Sequence, residues 1–137
     1  MTYALDTNII SYFLRDEGRV NEHFKREIKE NGNMYAISHF CAYEIRRWLN
    51  YKPTRITRLY AKQFDILFQN VYELADMSAL VWEKAVEVYI TLQGKGKLIE
   101  DADILIASYC VVNDYTLVTR NTKDFERIDG LKHVNWY

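Results

Sequence analysis

The sequence has little of several features that would place it in a special class of protein. It contains two cysteines, Cys41 and Cys110, with no CxxC or close Cys/His spacing, which is typical of buried reduced thiols and excludes a cysteine-based metal pair. No run approaches the roughly 18 apolar residues of a membrane span, and no basic stretch followed by an apolar run opens the chain. We therefore expect no membrane segment, no signal peptide and a cytoplasmic location.

The chain also lacks an excess of charge of either sign. Its 18 Lys and Arg residues nearly balance 19 Asp and Glu residues, for a net charge of −1. This excludes a strongly basic nucleic-acid binder, so a nucleic-acid site must be a local patch. No Walker loop, GxGxxG motif or Ser–His or Cys–His nucleophile motif is visible.

What remains is an ordinary globular composition. The 137 residues are 49% hydrophobic and 27% charged, with one proline, Pro53, and no linker, repeat or low-complexity block. This length and composition predict a single domain over residues 1–137.

Apolar patterning predicts alternating strands and helices. The expected strands are Thr2–Leu5, Met34–Ile37, Asn70–Leu74, Thr116–Thr119 and His133–Trp136. The expected helices cover about Asn8–Arg15, Val20–Asn31, Ser38 (as N-cap) to Tyr51, Thr54–Gln69, Ser78–Gln93 and Ala102–Asn113, the last capped by Asp101. Such alternation predicts an α/β fold with a mostly parallel sheet of about five strands, covered on both faces in three α/β/α layers.

Three acidic residues, far apart in sequence, fall where this fold would bring them together. Asp6 follows the first strand, Glu44 lies two turns into the helix after the second strand, and Asp103 lies in the first turn of the helix leading to the fourth. Ligands of open α/β sheets bind beyond the carboxyl ends of the strands. We therefore expect all three carboxyls at one edge of the sheet.

Each acid also has a structural alternative. Asp6 could cap the following helix, Glu44 could be a solvated helix residue, and Asp103 could favour the helix dipole. Gathered carboxylates repel unless a hard cation screens them, and Mg²⁺ prefers oxygen ligands. A bound Mg²⁺ can activate water and neutralise a leaving oxygen, which suits phosphodiester hydrolysis. Zinc is disfavoured because His23, His39 and His133 show no ligand spacing.

A basic segment begins two residues after Glu44. Between Ile45 and Phe64 there is no acid, but there are six cations beside Trp48, Tyr51 and Tyr60: Arg46, Arg47, Lys52, Arg55, Arg58 and Lys62. Such a segment suits RNA phosphates and unpaired bases. It could equally be an ordinary solvated helix face, or hold an acidic segment of a partner.

The apolar helices around Ile9–Leu14 and Val20–Ile28 allow two interpretations. They could form a groove for a partner helix, or they could pack within the core of the same chain.

Four short motifs in the sequence resemble those of a known family. Leu5-Asp6-Thr7-Asn8-Ile9-Ile10 resembles the opening of PIN domains, and Ile37-Ser38 with Tyr43-Glu44-Ile45 resembles their second motif. Asp103-Ile104-Leu105-Ile106-Ala107 resembles the third motif and Leu117–Phe125 the fourth. The four motifs occur in the family's order and cover essentially the whole chain, and within the group the size resembles VapC-type toxins.

The resemblance implies a PIN-like fold and an RNA endonuclease that uses Mg²⁺ or Mn²⁺. It also implies a homodimer and a cognate antitoxin protein as partner. Asp6, Asp103 and Glu44 are the expected metal-binding and catalytic residues, with Asn121 at the fourth catalytic position. Arg46, Arg47, Arg55, Arg58 and Arg120 are the expected RNA-binding residues.

The sequence departs from the family at one of these positions. Many relatives carry aspartate where this chain has Asn121, which puts a second tightly held metal in doubt. Asp124 could contribute to the metal or cap a short turn, and Asp101 could cap its helix or contact metal. The departure favours the alternative of a catalytically silent PIN-like module that only binds RNA or a partner. A phosphohydrolase with a nucleophilic aspartate is disfavoured, because Asp6-Thr7-Asn8 lacks the second aspartate of such a site.

Overall fold

The computed structural model describes residues 1–72 and 77–137. In these ranges four parallel strands form one sheet in the order β2-β1-β3-β4: β1 (Thr2–Leu5), β2 (Met34–Ala36), β3 (Thr116–Val118) and β4 (Lys132–Val134). Tyr3 of β1 pairs with Tyr35 on one side and with Thr116 on the other. The predicted parallel sheet is thus confirmed, and its first strand has the predicted bounds.

The expectation of about five strands differs slightly from this sheet. Of the predicted strand Asn70–Leu74, residues 70–72 are not in a strand, although the Tyr72 N–H donates to the Tyr35 carbonyl over 2.7 Å. Residues 73 and 74 lie outside the described ranges. The strand predicted at His133–Trp136 begins and ends earlier, at Lys132–Val134. The Thr119 N–H donates to the carbonyl of Val134, the last residue of this strand.

The helices surround this sheet in two groups, and the helices within each group contact one another. Helices α1 to α4 pack together, and α5 packs against α6, which fits the predicted three-layer arrangement. Their bounds are α1 (Thr7–Arg15), α2 (Val20–Phe24), α3 (His39–Asn50), α4 (Arg55–Gln69), α5 (Ala79–Gly94), α6 (Asp101–Asn113) and α7 (Thr122–Phe125).

Short polar side chains begin several helices. Ser38, Thr54 and Ser78 each accept a hydrogen bond from the backbone N–H three residues ahead, which satisfies one unpaired donor of the first turn. The predicted cap at Asp101 is wrong. Glu100 holds the N-cap position with extended backbone and no side-chain cap bond, so Asp101 is already the first helical residue.

The sequence pattern predicts one regular helix over Val20–Asn31, but after α2 the helix continues with wider turns. Residues Lys25–Glu30 form a π-helical segment, which widens the turn by one residue. The segment ends at Asn31, and Gly32 follows with a φ of +71°, a conformation that glycine adopts without steric cost.

The core lies between the sheet and the helices. Its largest fully buried side chains include Trp136, Tyr109, Phe64, Phe125 and Leu5. Both cysteines are buried free thiols, as expected. Within the described ranges, no helix combines the length and apolar character needed to cross a bilayer.

Candidate active site

Asp6 lies where β1 turns into α1, and both of its carboxylate oxygens are engaged. Oδ1 accepts the N–H of Thr7 over 2.8 Å, and Oδ2 accepts the hydroxyl of Thr119 over 2.9 Å. The side chain is buried, with 8% of its surface exposed. Asp6 therefore caps α1, as the structural alternative proposed, but it is also a buried carboxyl held between two threonines.

Glu44 is joined to Asp6 through Thr7. The Thr7 hydroxyl donates to Glu44 Oε1 over 2.8 Å, while its backbone N–H donates to Asp6. Glu44 is half-buried on α3. One threonine therefore fixes two carboxylates that are 38 residues apart in the chain, and the alternative of a fully solvated Glu44 is wrong.

Asp103 lies in the first turn of α6 and faces the same acids. Burial, followed by the negative charges of Asp6, Glu100, Asp124 and Glu44, raises its pKa to about 6. Charges in a partly buried site are screened less than charges at the surface. Asp6, Glu44 and Glu100 line the same cavity as Asp103, which is why their charges act on it.

Asp6, Glu44 and Asp103 line one cavity of about 510 Å³. Burial is the main cause that raises the pKa of Asp6, and the charge of Glu44 adds to it, whereas the hydrogen bonds from Thr119 and Thr7 oppose it. The same burial raises the pKa of the Cys41 thiol, also in the lining, to about 12. The cavity is therefore a place where negative charge is costly unless a cation enters.

Asn121 does not line this cavity. Its side-chain amide donates to Asp124 Oδ2 over 2.9 Å, and its backbone N–H donates to the Thr119 hydroxyl oxygen. Asp124 also pairs with Arg127. Its charge contributes to the raised pKa of Asp103. Asn121 thus lies beside the acids through Thr119 and Asp124 and is turned away from the cavity itself.

The expected RNA-binding arginines lie on different surfaces. Arg46 lies over the Phe68 ring at 4.7 Å and Arg47 over the Tyr43 ring at 5.2 Å. Both line a neighbouring surface depression on α3 rather than the acid cavity.

The other three lie on α4 and after β3. Arg55 and Arg58 are exposed on α4. Arg120 follows Thr119, lies 3.7 Å from the Tyr137 ring centroid and donates to the Tyr12 hydroxyl. None of these five arginines lines the acid cavity.

The donors at the cavity fit a hard divalent cation. They are carboxylate oxygens together with Asn8, whose Oδ1 is buried without a hydrogen-bond partner in residues 1–72 and 77–137. In those ranges no group of three or more His, Cys, Asp or Glu side chains is placed so that it could hold a metal ion. Mg²⁺ keeps several waters and is typically held by only one or two carboxylates, so it does not require such a group.

Most of the chain also matches a known family. A family model described as "PIN domain" matches residues 3–131. This chain belongs to the PIN-domain family.

The relatives of this PIN domain include named ribonucleases. It is 32% identical to Ribonuclease VapC2 of Rickettsia felis over 142 aligned residues, which span 99% of this chain and 98% of that protein. It is 30% identical to Ribonuclease VapC1 of Methanocaldococcus jannaschii, across 89% of this chain and 86% of the relative. Ribonucleases of this family depend in general on divalent metal ions.

Solved structures give the same fold. A crystal structure of VapBC2 from Rickettsia felis, bound to a DNA fragment from its promoter, aligns over 100% of both chains with a TM-score of 0.84 and 30% identity. DNA-bound VapBC from Salmonella typhimurium aligns over 100% of this chain and 99% of that chain with the same TM-score and 19% identity, a likeness of fold alone. The PIN-like fold expected from the motifs is confirmed.

Sequence reasoning missed several residues that line the cavity of this PIN domain, and one of them is charged and basic. Arg15, at the end of α1, lies in the lining. The available signal was a polar stripe on an otherwise apolar helix, since Asn8, Ser11 and Arg15 recur at helical spacing.

Thr119 offers a direct test of how the acids are held. Thr119→Val keeps the shape of this fully buried side chain but removes the hydroxyl that donates to Asp6. A hydrogen bond to a charged group contributes about 1.5–3 kcal/mol. We expect the free energy of unfolding at neutral pH to fall by about 2 kcal/mol in urea titrations, and the pKa of Asp6 to rise further. Unchanged stability at neutral pH would show that Asp6 does not depend on this donor.

Proposed function

We propose that this chain is a Mg²⁺-dependent endoribonuclease and the toxin of a toxin–antitoxin pair. The observation that carries the proposal is the convergence of Asp6, Glu44 and Asp103 on one cavity. The named ribonucleases among its relatives supply the substrate class. We propose that it acts in the cytoplasm.

In this proposal Asp6 and Asp103 hold the metal directly, and Glu44 acts on it directly or through a water. When bound, a divalent cation lowers the pKa of a water and neutralises charge on the leaving oxygen. The chain supplies the geometry. Thr7 and Thr119 fix the orientation of Asp6, and Thr7 also fixes Glu44.

Mg²⁺ is the proposed ion because the donors are hard oxygens and the one thiol in the lining stays protonated. Mn²⁺ prefers the same ligand types and is expected to substitute for it. Asn121, the residue at the fourth catalytic position, is proposed to act indirectly. Its amide holds Asp124, whose carboxylate adds negative charge near Asp103.

The metal dependence has a simple test. Purified protein is incubated with total cellular RNA in Mg²⁺, in EDTA, and in EDTA followed by excess Mg²⁺, and the RNA ends are mapped. We expect discrete new ends with Mg²⁺, none in EDTA, and full recovery after Mg²⁺ is restored. Cleavage that persists in EDTA would contradict the proposal. RNA binding without any Mg²⁺-dependent product would favour the catalytically silent module.

An antitoxin protein is the proposed partner. The similar solved structure from Rickettsia felis, at 30% identity, is of VapBC2. In this chain, an apolar cavity of about 740 Å³ lies between α1, α2 and α4, lined by side chains that include Phe13, Phe24, Ile28, Tyr35 and Ile66. This cavity involves the helices for which the sequence suggested a partner groove, and it suits an amphipathic helix.

The proposed homodimer rests on the family resemblance. Apolar side chains exposed on α5, among them Leu80, Trp82, Val86 and Ile90, provide surface that a second copy could cover. Sedimentation equilibrium of the purified chain would decide between a monomer and a dimer.

A further inference from the structure

Arg15 is the one cation among the described residues that line the acid cavity. The other charged groups of that lining are all acids: Asp6, Glu44, Glu100 and Asp103. A strand of RNA that enters the cavity brings more negative charge to a surface that is already negative. A metal ion would neutralise charge at the bond to be cut, but the neighbouring phosphates would still face carboxylates.

The guanidinium of Arg15 is held in place by three neighbours. Its Nε donates to Ser11 Oγ over 3.2 Å, its Nη1 lies 2.9 Å from Glu17 Oε2, and the group lies 5.4 Å from the centroid of the Tyr12 ring. The side chain of Arg15 is 40% exposed, so its remaining donors can be reached from solvent. Because the guanidinium group has a fixed orientation and N–H donors that remain accessible, it suits bidentate binding of a phosphate.

We propose that Arg15 binds a phosphate of the RNA strand that enters the acid cavity, and that Glu17 competes with this phosphate for the guanidinium. The proposal rests on the ribonuclease function proposed above. Arg15 would act as a substrate-positioning residue rather than on the reacting bond.

A purely structural role makes different predictions. Arg15 lies in the last turn of α1, where a cation favours the helix dipole, and its pair with Glu17 is exposed and contributes little to stability. If the ion pair were only structural, removing either partner would have the same consequence. If Glu17 competes with RNA, removing Arg15 weakens RNA binding and removing Glu17 strengthens it.

The test compares Arg15→Met and Glu17→Gln in full-length protein. The pair Arg19 and Glu22 provides the matched control, because it has the same 2.9 Å separation, is exposed, and is absent from the cavity lining. The probe is a short fluorescein-labelled single-stranded RNA of mixed sequence, and its affinity is measured by anisotropy in EDTA across a range of NaCl concentrations. Thermal melts establish that each variant is folded.

We expect Arg15→Met to weaken binding about tenfold and to lower the slope of log affinity against log salt by about 0.7, the value for one lost phosphate contact on a single strand. Glu17→Gln is expected to strengthen binding about threefold, and Arg15→Lys to give an intermediate affinity. Arg19→Met and Glu22→Gln should each change affinity by less than about twofold. In cleavage assays with Mg²⁺, Arg15→Met should raise KM about tenfold with little change in kcat.

Two results would overturn the role of Arg15: shifts of the same sign in Arg15→Met and Glu17→Gln, or shifts no larger than those of the control pair. Failure of the ribonuclease function is seen separately, as wild-type protein that binds RNA but does not cleave it with Mg²⁺. The opposite shifts in EDTA would then still support phosphate binding by Arg15.

Discussion

Asp6→Asn is expected to lower divalent-metal-dependent RNA cleavage by at least about a thousandfold while the protein stays folded. The substitution removes the charge of the most buried carboxyl in the acid cavity. An amide oxygen can still accept the Thr7 N–H, because asparagine caps helices about as well as aspartate does. Folding and catalysis are therefore separated at a single position.

The same substitution should stabilise the protein in EDTA. Burial raises the pKa of Asp6, so the ionised side chain costs folding energy at neutral pH that a neutral amide does not. We expect a higher melting temperature for Asp6→Asn than for the wild type in EDTA, and a reversed order at saturating Mg²⁺.

Asp6→Ala provides the matched comparison. It should lose cleavage equally, but it also loses the helix cap, which costs about 1 kcal/mol. Thermal melts and cleavage assays on both variants measure the two effects. Full cleavage by Asp6→Asn protein, from preparations freed of contaminating nuclease, would remove Asp6 from the catalytic centre.

The metal-free protein is expected to lose stability as the pH rises, which is the opposite of the usual behaviour of an aspartate. The pKa of Asp103 is about 6 in the folded protein, against an ordinary value of 3.8. Between these two values the folded state binds more protons than the unfolded state, so the free energy of unfolding falls with increasing pH. The raised pKa of Asp6 acts in the same direction.

Urea titrations in EDTA at about pH 5 and about pH 7 would measure this loss, which we expect to be on the order of 1 kcal/mol for Asp103. The acids whose pKa is lowered, Glu22, Glu27 and Asp114, stay almost fully ionised over this range. Burial lowers the pKa of His23, which acts in the opposite direction, so the comparison with Asp103→Asn isolates the effect of Asp103. Asp103→Asn should flatten the difference, and saturating Mg²⁺ should stabilise the wild type at the higher pH. Equal pH dependence in wild type and Asp103→Asn would contradict the assigned environment of Asp103.

Much of this fold follows from local sequence pattern. The run Thr2–Leu5 is short and apolar, and it forms a buried parallel strand with those bounds. Ser38 was recognisable as a cap because a short hydroxyl side chain precedes a helical pattern. Features that depend on backbone geometry were not recognisable. Glu100, Asp101 and Asp103 are all acids near one helix start, and only the extended backbone at Glu100 identifies the cap.

The candidate site was predictable in its acids and less so in its surroundings. Asp6 follows a strand directly, so sheet topology alone places it at the carboxyl edge. The contacts that hold Asp6 could not be predicted in this way. Thr119 is distant in the chain, and the sequence pattern gives no information on the direction of its hydroxyl group. Arg15 was missed because the polar stripe to which it belongs has the same pattern as an ordinary solvated helix face. The packing of α1 against α3 brings this stripe to the cavity.

The hydrogen bond between Thr119 and Asp6 joins residues 113 positions apart. The strand that carries Asp6 is central in the sheet, and its partner β3 is almost as distant in the chain. Contacts of such long range form late and slowly, and during translation the early segments emerge first. A nascent chain therefore carries Asp6 and Glu44 long before it can close the cavity around them. The ribosome would therefore synthesise nearly all of this chain before the protein becomes able to cleave RNA.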